Sequence, residues 1–391
     1  MRRDRLVELL AGRWRTLPVL IALVAIWVFF SSQSDVFLSS HNLSNLSLQI
    51  VVTGVIALAL VLVLLVGEID LSVVYLSVVC AAIAATLSEY VRLPLALALA
   101  GGVGVGAIWG LGQGFVTTYF RVPSFIVTLG ASLILTAALL EVLPADGQIL
   151  LARNPIASIA NAFLPSWLSY VGLAATLVIV GLLKLHTYQH RRRQGLAPTL
   201  AGSVVAPVAM VGIAGAALVV VFDGYRGVPV AVTVLLILLG VFAYVTTQTR
   251  FGTYLYAIGG NPEAARRAGI PVMQVKIIVF MLAGALTAIG GTIAASRVLT
   301  VSSQVLDPAL LLEAIAAAVI GGASLFGGRG SVWAALTGAL VIGSITNGLL
   351  LLDVSTPTRL MVQGAILLLA VIADAAISRA ASVPSVPEPT T

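Results

Sequence analysis

The sequence predicts an all-α, polytopic integral membrane protein, and two features of its make-up carry that reading. Of its 391 residues 60% are hydrophobic and only 9% charged, against about 25% charged in an average soluble domain. Several apolar runs also exceed the ~18 residues that mark a membrane-spanning helix. The charge pattern agrees. With the N-terminus placed in the cytoplasm and the runs alternating, sixteen of the 21 Lys and Arg fall on the cytoplasmic side and five opposite, as the positive-inside rule requires.

The runs lie near 17–31, 48–66, 71–88, 94–118, 123–143, 168–185, 203–222, 228–247, 275–296, 309–322, 331–351 and 359–377. Ten form a core and the pair at 168–185 and 203–222 belongs to an insert spanning about 150–225. The segments 71–88, 123–143 and 309–322 are the ones expected to be re-entrant or broken, since non-helical backbone at membrane depth survives only when buried in protein. Residues 1–16 read as a cytoplasmic segment, 17–377 as the transmembrane domain and 378–391 as a cytoplasmic tail. The Pro- and Ser-rich stretch from Ser382 has the composition of a disordered segment. Many of the 37 glycines fall inside apolar runs. They serve either close helix packing or sliding and breaking of helices around a path.

The composition also excludes several functions. One cysteine, Cys80, gives no disulfide framework, and His41, His186 and His190 have no metal-ligand spacing. The basic excess lies in loops beside apolar runs, so it does not point to nucleic acid. No Gly-x-x-x-x-Gly-Lys-Ser/Thr loop is present, so no nucleotide is bound by a P-loop. No nucleophile–His–acid set is readable, and the chain is expected not to be an enzyme and to carry no cofactor or metal of its own.

The most informative segment is Asn261-Pro-Glu-Ala-Ala-Arg-Arg-Ala-Gly-Ile-Pro271. Asn261 can cap the free N–H groups, and Pro262 suits the first helical position. Glu263 lies at the positive end of the dipole, Arg266 and Arg267 at the negative end. Ala264, Ala265 and Ala268 are strong helix formers. Gly269 suits the left-handed residue after a helix, Ile270 follows it, and Pro271 stops continuation. About seven residues make a rod of roughly 10 Å, too short to cross a bilayer. It reads as a docking element for a soluble partner, within a cytoplasmic loop of about 248–274.

Four further positions or groups carry polar chemistry. In Gly67-Glu68-Ile69-Asp70-Leu71-Ser72, two carboxylates between apolar runs line a pathway mouth, or Asp70 or Ser72 caps the next helix. A proton relay is a third reading, with nothing basic nearby in sequence. After Arg121-Val-Pro123, Ser124 and Thr128 either bond freed carbonyls or face a polar interior. Glu313 and Asp374 lie within apolar runs and Glu141 near a run's end; each is a pathway or helix-pairing candidate. Asn347 is a further pathway candidate.

The motifs Gly-Glu-Ile-Asp-Leu-Ser, Val122-Pro-Ser-Phe-Ile-Val-Thr-Leu-Gly130, Tyr256-Ala-Ile-Gly-Gly-Asn-Pro-Glu-Ala-Ala-Arg-Arg-Ala-Gly-Ile270 and Val319-Ile-Gly-Gly-Ala-Ser-Leu-Phe-Gly-Gly-Arg-Gly-Ser-Val332 occur in this order. Together they resemble the permease subunit of bacterial ABC sugar importers of the ribose/xylose/galactose class, and the long form is most similar to the xylose type. The resemblance covers most of 42–135 and 223–377. It implies a bacterial inner-membrane permease that docks, through the loop like 256–270, on a cytoplasmic ABC ATPase. ATP and Mg would be bound by that partner. It also implies a periplasmic or lipid-anchored sugar-binding protein and a homodimer of the permease among lipids. The residues that contact sugar are not assigned by it. A permease for another solute (a nucleoside, a branched-chain amino acid) keeps the same architecture. An ion-coupled transporter using Glu68, Asp70, Glu313 or Asp374 is the rival of a different class.

Overall fold

The computed structural model describes residues 17–195, 199–303 and 308–382. Each of the twelve apolar runs is a helix. These are α1 (Leu17–Gln33), α2 (Ser40–Leu65), α3 (Val73–Glu89), α4 (Leu95–Tyr119), α5 (Ser124–Val142), α6 (Ser166–Arg193), α7 (Ala206–Asp223), α8 (Val230–Gln248), α11 (Val272–Val298), α12 (Pro308–Ile320), α13 (Trp333–Leu351) and α14 (Thr356–Ser382). Between α8 and α11 lie α9 (Arg250–Gly260) and α10 (Pro262–Arg267).

Among the described residues, eight helices are long and apolar enough to cross a membrane: α2, α4, α5, α6, α7 with the π-helical turn before it, α8, α11 and α13. α5 is one of them, so 123–143 is a full-length helix rather than a broken one. The 71–88 and 309–322 segments do fall short, as α3 and α12, and so do α1 and the apolar part of α14. α14 continues to Ser382, so residues 378–382 of the expected tail are helical. The rest of that tail and the segment 1–16 lie outside the described residues.

α2 explains the architecture. It is apolar on every side, and 94% of its best apolar stretch is buried inside the protein. A helix hydrophobic all round must be surrounded, and α11, α13, α12 and α8 pack on it. A second core cluster lies around α3, with Leu135 and Leu139 of α5 and the loop residues Ile149 and Leu151. α4 and α11 share the most extensive helix–helix packing. An added Cβ at Gly106 would stand 2.4 Å from the Gly284 carbonyl oxygen, and one at Gly284 would stand 2.0 Å from that of Gly106. This pair takes the close-packing reading of the glycines.

The loops sort into two ends. At one end 66–72, 120–124, 249–271 and 321–332 gather. At the other, two short antiparallel ladders form, β1 (Gln148–Leu150) with β4 (Thr300–Ser302) and β2 (Phe163–Leu164) with β3 (Val228–Pro229). There Asn154 accepts from Ser88 and donates to Glu89, and the Ser296 hydroxyl accepts from the Ala160 N–H.

Candidate functional site: the end that carries α9 and α10

The helix α10 has the construction its sequence demands. Asn261 Oδ1 accepts from the N–H groups of Glu263 (3.1 Å) and Ala264 (3.0 Å), satisfying donors that the helix itself cannot. Arg266 pairs with Glu263 at 2.9 Å on the exposed face. Gly269 has φ +80°. Its N–H donates to the Arg266 carbonyl and that of Ile270 to the Ala265 carbonyl, the paired bonds of a Schellman cap. Ala265 is buried, whereas Glu263, Ala264, Arg266 and Arg267 are exposed. One face is thus seated on the protein and the other presented outward. The regular helix is Pro262–Arg267, one residue shorter than the seven expected.

The stretch before it is not a loop. Thr249 caps α9 by accepting from the Gly252 N–H, and α9 buries Gly252, Leu255 and Ile258 along one face. The 248–274 segment is therefore two short helices in series.

α9 rests on a node of backbone. Gly259 lies so close to Leu65 and Gly328 that an added Cβ would stand 1.9 Å from the Leu65 carbonyl oxygen and 2.3 Å from the Gly328 nitrogen. The Gly328 N–H donates to that same Leu65 oxygen at 3.1 Å. Gly327, at φ +81°, would bring a Cβ to 2.7 Å from the Gly67 Cα. Tyr256 Oη donates to the Gly330 carbonyl at 3.2 Å. Three segments far apart in sequence meet here with no side chain between them.

The turn 66–72 is tied to α5 from the opposite side. Ser124 Oγ accepts from the Ile69 N–H (3.0 Å) and Thr128 Oγ1 from the Leu71 N–H (3.1 Å). Both hydroxyls thus satisfy backbone N–H groups of a neighbouring segment, and Thr128 Oγ1 also donates to the Phe125 carbonyl at 3.4 Å. Asp70 is buried, and its Oδ1 accepts from the N–H (2.8 Å) and hydroxyl (2.7 Å) of Ser72. Ser72 in turn accepts from Gln113 Nε2 at 2.7 Å. Asp70 therefore orders the start of α3, and Ser72 is a relay between Asp70 and Gln113 rather than a side-chain cap. In this turn burial pushes the Asp70 carboxyl above the usual carboxylate range, against the pull of the two Ser72 bonds.

Glu68 is not an isolated carboxylate, because Lys276 of α11 pairs with it. Both side chains are largely buried, at 14% and 16% exposure. The sequence reading found nothing basic near Glu68, because the partner lies 208 positions away. Gln113 was missed as well. A lone amide in a glycine-rich run carries no signal until α4 is placed beside 70–72.

The other sequence candidates lie elsewhere. Asn347 forms a reciprocal pair with Asn42, at 2.9 and 3.1 Å, with both residues buried. That closed pair joins α2 to α13. Glu313 meets Gln363 and Thr346 at the far half of the bundle. Glu141 is exposed on the last turn of α5. Asp374 lies in α14, with its side chain outside the described residues.

This end thus joins all four sequence motifs in one assembly: an outward-facing capped helix, a glycine node, a pinned acidic turn and an ion pair to α11. The chain is similar to known proteins along nearly its whole length. The chain is 36% identical over 361 residues to a xylose transport system permease protein of Haemophilus influenzae, covering 91% of this chain and 95% of that protein. It is 37% identical over 368 residues to the Escherichia coli xylose transport system permease protein, covering 92% of each. A ribose import permease protein of Escherichia coli is 30% identical over 357 residues, 91% of this chain and 92% of the relative. No solved structure matches the chain. A family profile described as the permease component of branched-chain amino acid transport systems matches residues 42–371, and with most of its length inside that match the chain belongs to this family of membrane permease components.

Proposed function

We propose that this chain is the membrane-spanning subunit of an ATP-driven, binding-protein-dependent importer of xylose or a similar monosaccharide. The substrate class rests on the two xylose permease relatives and, at lower identity, on the ribose permease. Two copies would sit in the bacterial inner membrane over two cytoplasmic ATPase subunits, with both termini in the cytoplasm. A sugar-binding protein would deliver solute to the opposite face. ATP and Mg would be held by the ATPases.

The observation that carries the coupling role is the seating of α10. Its exposed face offers Glu263, Arg266 and Arg267 to a partner, and its buried face continues through α9 into the node. Closure of the ATPases would push α10 as a rigid body. Because the node is backbone against backbone, little of that push can be absorbed by side-chain rotation. It would pass to the ends of α2 and α12 and, through the 66–72 turn, to α3 and α5. Switching a two-state protein from 1:99 to 99:1 takes about 5.5 kcal/mol of differential stabilisation, which nucleotide-driven closure must supply. Pairing of Glu68 with Lys276 and of Asp70 with Ser72 accounts for both carboxylates structurally, which favours this reading over an ion-coupled carrier.

The test is uptake of labelled xylose into proteoliposomes holding the permease, its ATPase and its binding protein. Uptake should require ATP and survive collapse of proton and sodium gradients. Uptake driven by a gradient without ATP would contradict the reading. Topology is checked after replacing Cys80: Ser34→Cys, Ala145→Cys and Thr356→Cys should label from outside intact cells. Gln194→Cys and Pro262→Cys should label only after permeabilisation.

A further inference from the structure

The half of the bundle remote from α10 holds a polar cluster that coupling does not use. Gln363 Nε2 donates to Glu313 Oε1 at 2.6 Å and to Thr346 Oγ1 at 3.1 Å, while Thr346 Oγ1 lies 3.5 Å from the same Glu313 oxygen. The three residues come from α12, α13 and α14. Each sits five to seven positions from the helix end remote from α10, or about 8–10 Å inside that end at 1.5 Å per residue. All three are half-buried rather than sealed.

Beside the cluster lies a cavity of about 120 Å³, lined by Glu313 and Gln363 together with Leu312, Ile342, Leu360 and Gly364. A carboxylate opening on lipid would be strongly disfavoured, and ionisable groups within spans usually face a path or a water-filled cavity. The neighbouring Asn42–Asn347 pair shows what a helix staple looks like here: neutral, reciprocal and fully buried. The Glu313 cluster differs on each count. It is ionisable, it is partly open, and it borders space.

We propose that Glu313, Thr346 and Gln363 form a binding station for a neutral polyhydroxylated solute on its way through the bundle; this rests on the importer reading above. A carboxylate accepts from two adjacent hydroxyls, and a carboxamide both donates and accepts. Leu312, Ile342 and Leu360 supply an apolar wall for the C–H face of a sugar ring. This mixture of apolar wall and a few convergent polar groups is the usual make-up of a small-molecule site. Its position in the half remote from α10 places it toward the end at which solute would arrive.

The test uses the complete complex in proteoliposomes, with the binding protein saturated in turn by xylose and by ribose so that delivery does not limit the comparison. Glu313→Gln, Gln363→Met and, as the staple control, Asn347→Leu are compared with wild type for sugar moved per ATP hydrolysed. Glu313→Gln and Gln363→Met should each change the xylose-to-ribose ratio by roughly three- to tenfold, the scale of one lost hydrogen bond. Asn347→Leu should lower both sugars alike. An unchanged ratio in both cluster variants, or an equal fall for both sugars with a matching loss of thermal stability, overturns the station and leaves the importer reading standing. Absence of any ATP-dependent sugar uptake by the wild-type complex overturns the importer reading, and the station with it. If Glu313→Gln fails to assemble with the ATPase, Gln363→Met decides the question by the same ratio.

Discussion

The coupling end and the α6–α7 hairpin are both rich in glycine, yet glycine does opposite work in the two. At Gly259 the nearest atoms to an added methyl are backbone, 1.9 and 2.3 Å away. In the hairpin Gly172 has nothing within reach, Gly181 meets only a Val208 methyl at 4.0 Å, Gly212 meets Leu177 at 3.5 Å, and Gly215, the tightest, meets at 2.4 Å the movable end of a Leu173 side chain rather than backbone. Only 6% of the best apolar stretch of either hairpin helix is buried within the protein, so this chain leaves most of their surface uncovered. α7 alone reaches the core, through Val219 and Phe222 near its end. Composition reports how apolar a helix is; only packing separates a helix enclosed by protein from one enclosed by lipid. The node should therefore be intolerant and the hairpin permissive.

The largest effect is expected at the node. Gly259→Ala forces the Leu65 carbonyl and Gly328 apart, so uptake should be lost in a transport assay even where the protein accumulates. Normal uptake would dissolve the distinction between the two regions. Next in size is Lys276→Met, which leaves Glu68 without its partner in a largely buried position. Breaking such a pair from one side costs about 3–5 kcal/mol when fully buried, and partial exposure should bring it to about 2 kcal/mol in a detergent melt. Adding Glu68→Gln should recover much of the loss. If it does not, the two residues are not coupled.

Asn261→Ala removes two bonds to the first turn of α10 and should cost about 1 kcal/mol. Because those residues are exposed, the cost should register as weaker ATPase association rather than as a lower melting temperature. The smallest effect is Gly181→Ala in the hairpin, expected within about 0.5 kcal/mol of wild type. A large loss there would mean that the hairpin packs against something other than lipid.

Much of this was legible in the sequence, because it was local. The caps of α10 need only residues within a few positions of each other, and Asn261, Gly269 and Pro271 announce them. The twelve apolar helices follow from runs of hydropathy. What was illegible is what forms between distant positions: Lys276 on Glu68, Gln113 on Ser72, Asn42 on Asn347. α9 was missed because Arg250–Gly260 has two glycines at its end and only a short apolar face. Gly67, Gly259 and the glycines at 327, 328 and 330 fall in three separate motifs, and nothing in one stretch of sequence says that the other two lie against it.

The central claim is that α10 is a docking element whose displacement drives the spans, and charge reversal on its exposed face tests it most directly. In Arg266→Glu/Arg267→Glu the altered side chains lie outside the helix contacts with the bundle, so accumulation and melting temperature should match wild type. Co-purification of the ATPase should fall at least about tenfold, with sugar uptake falling alongside it, and compensating basic changes on the partner should restore part of both. Full ATPase binding and full uptake by the double variant would contradict the account, leaving 261–271 as an ordinary surface segment.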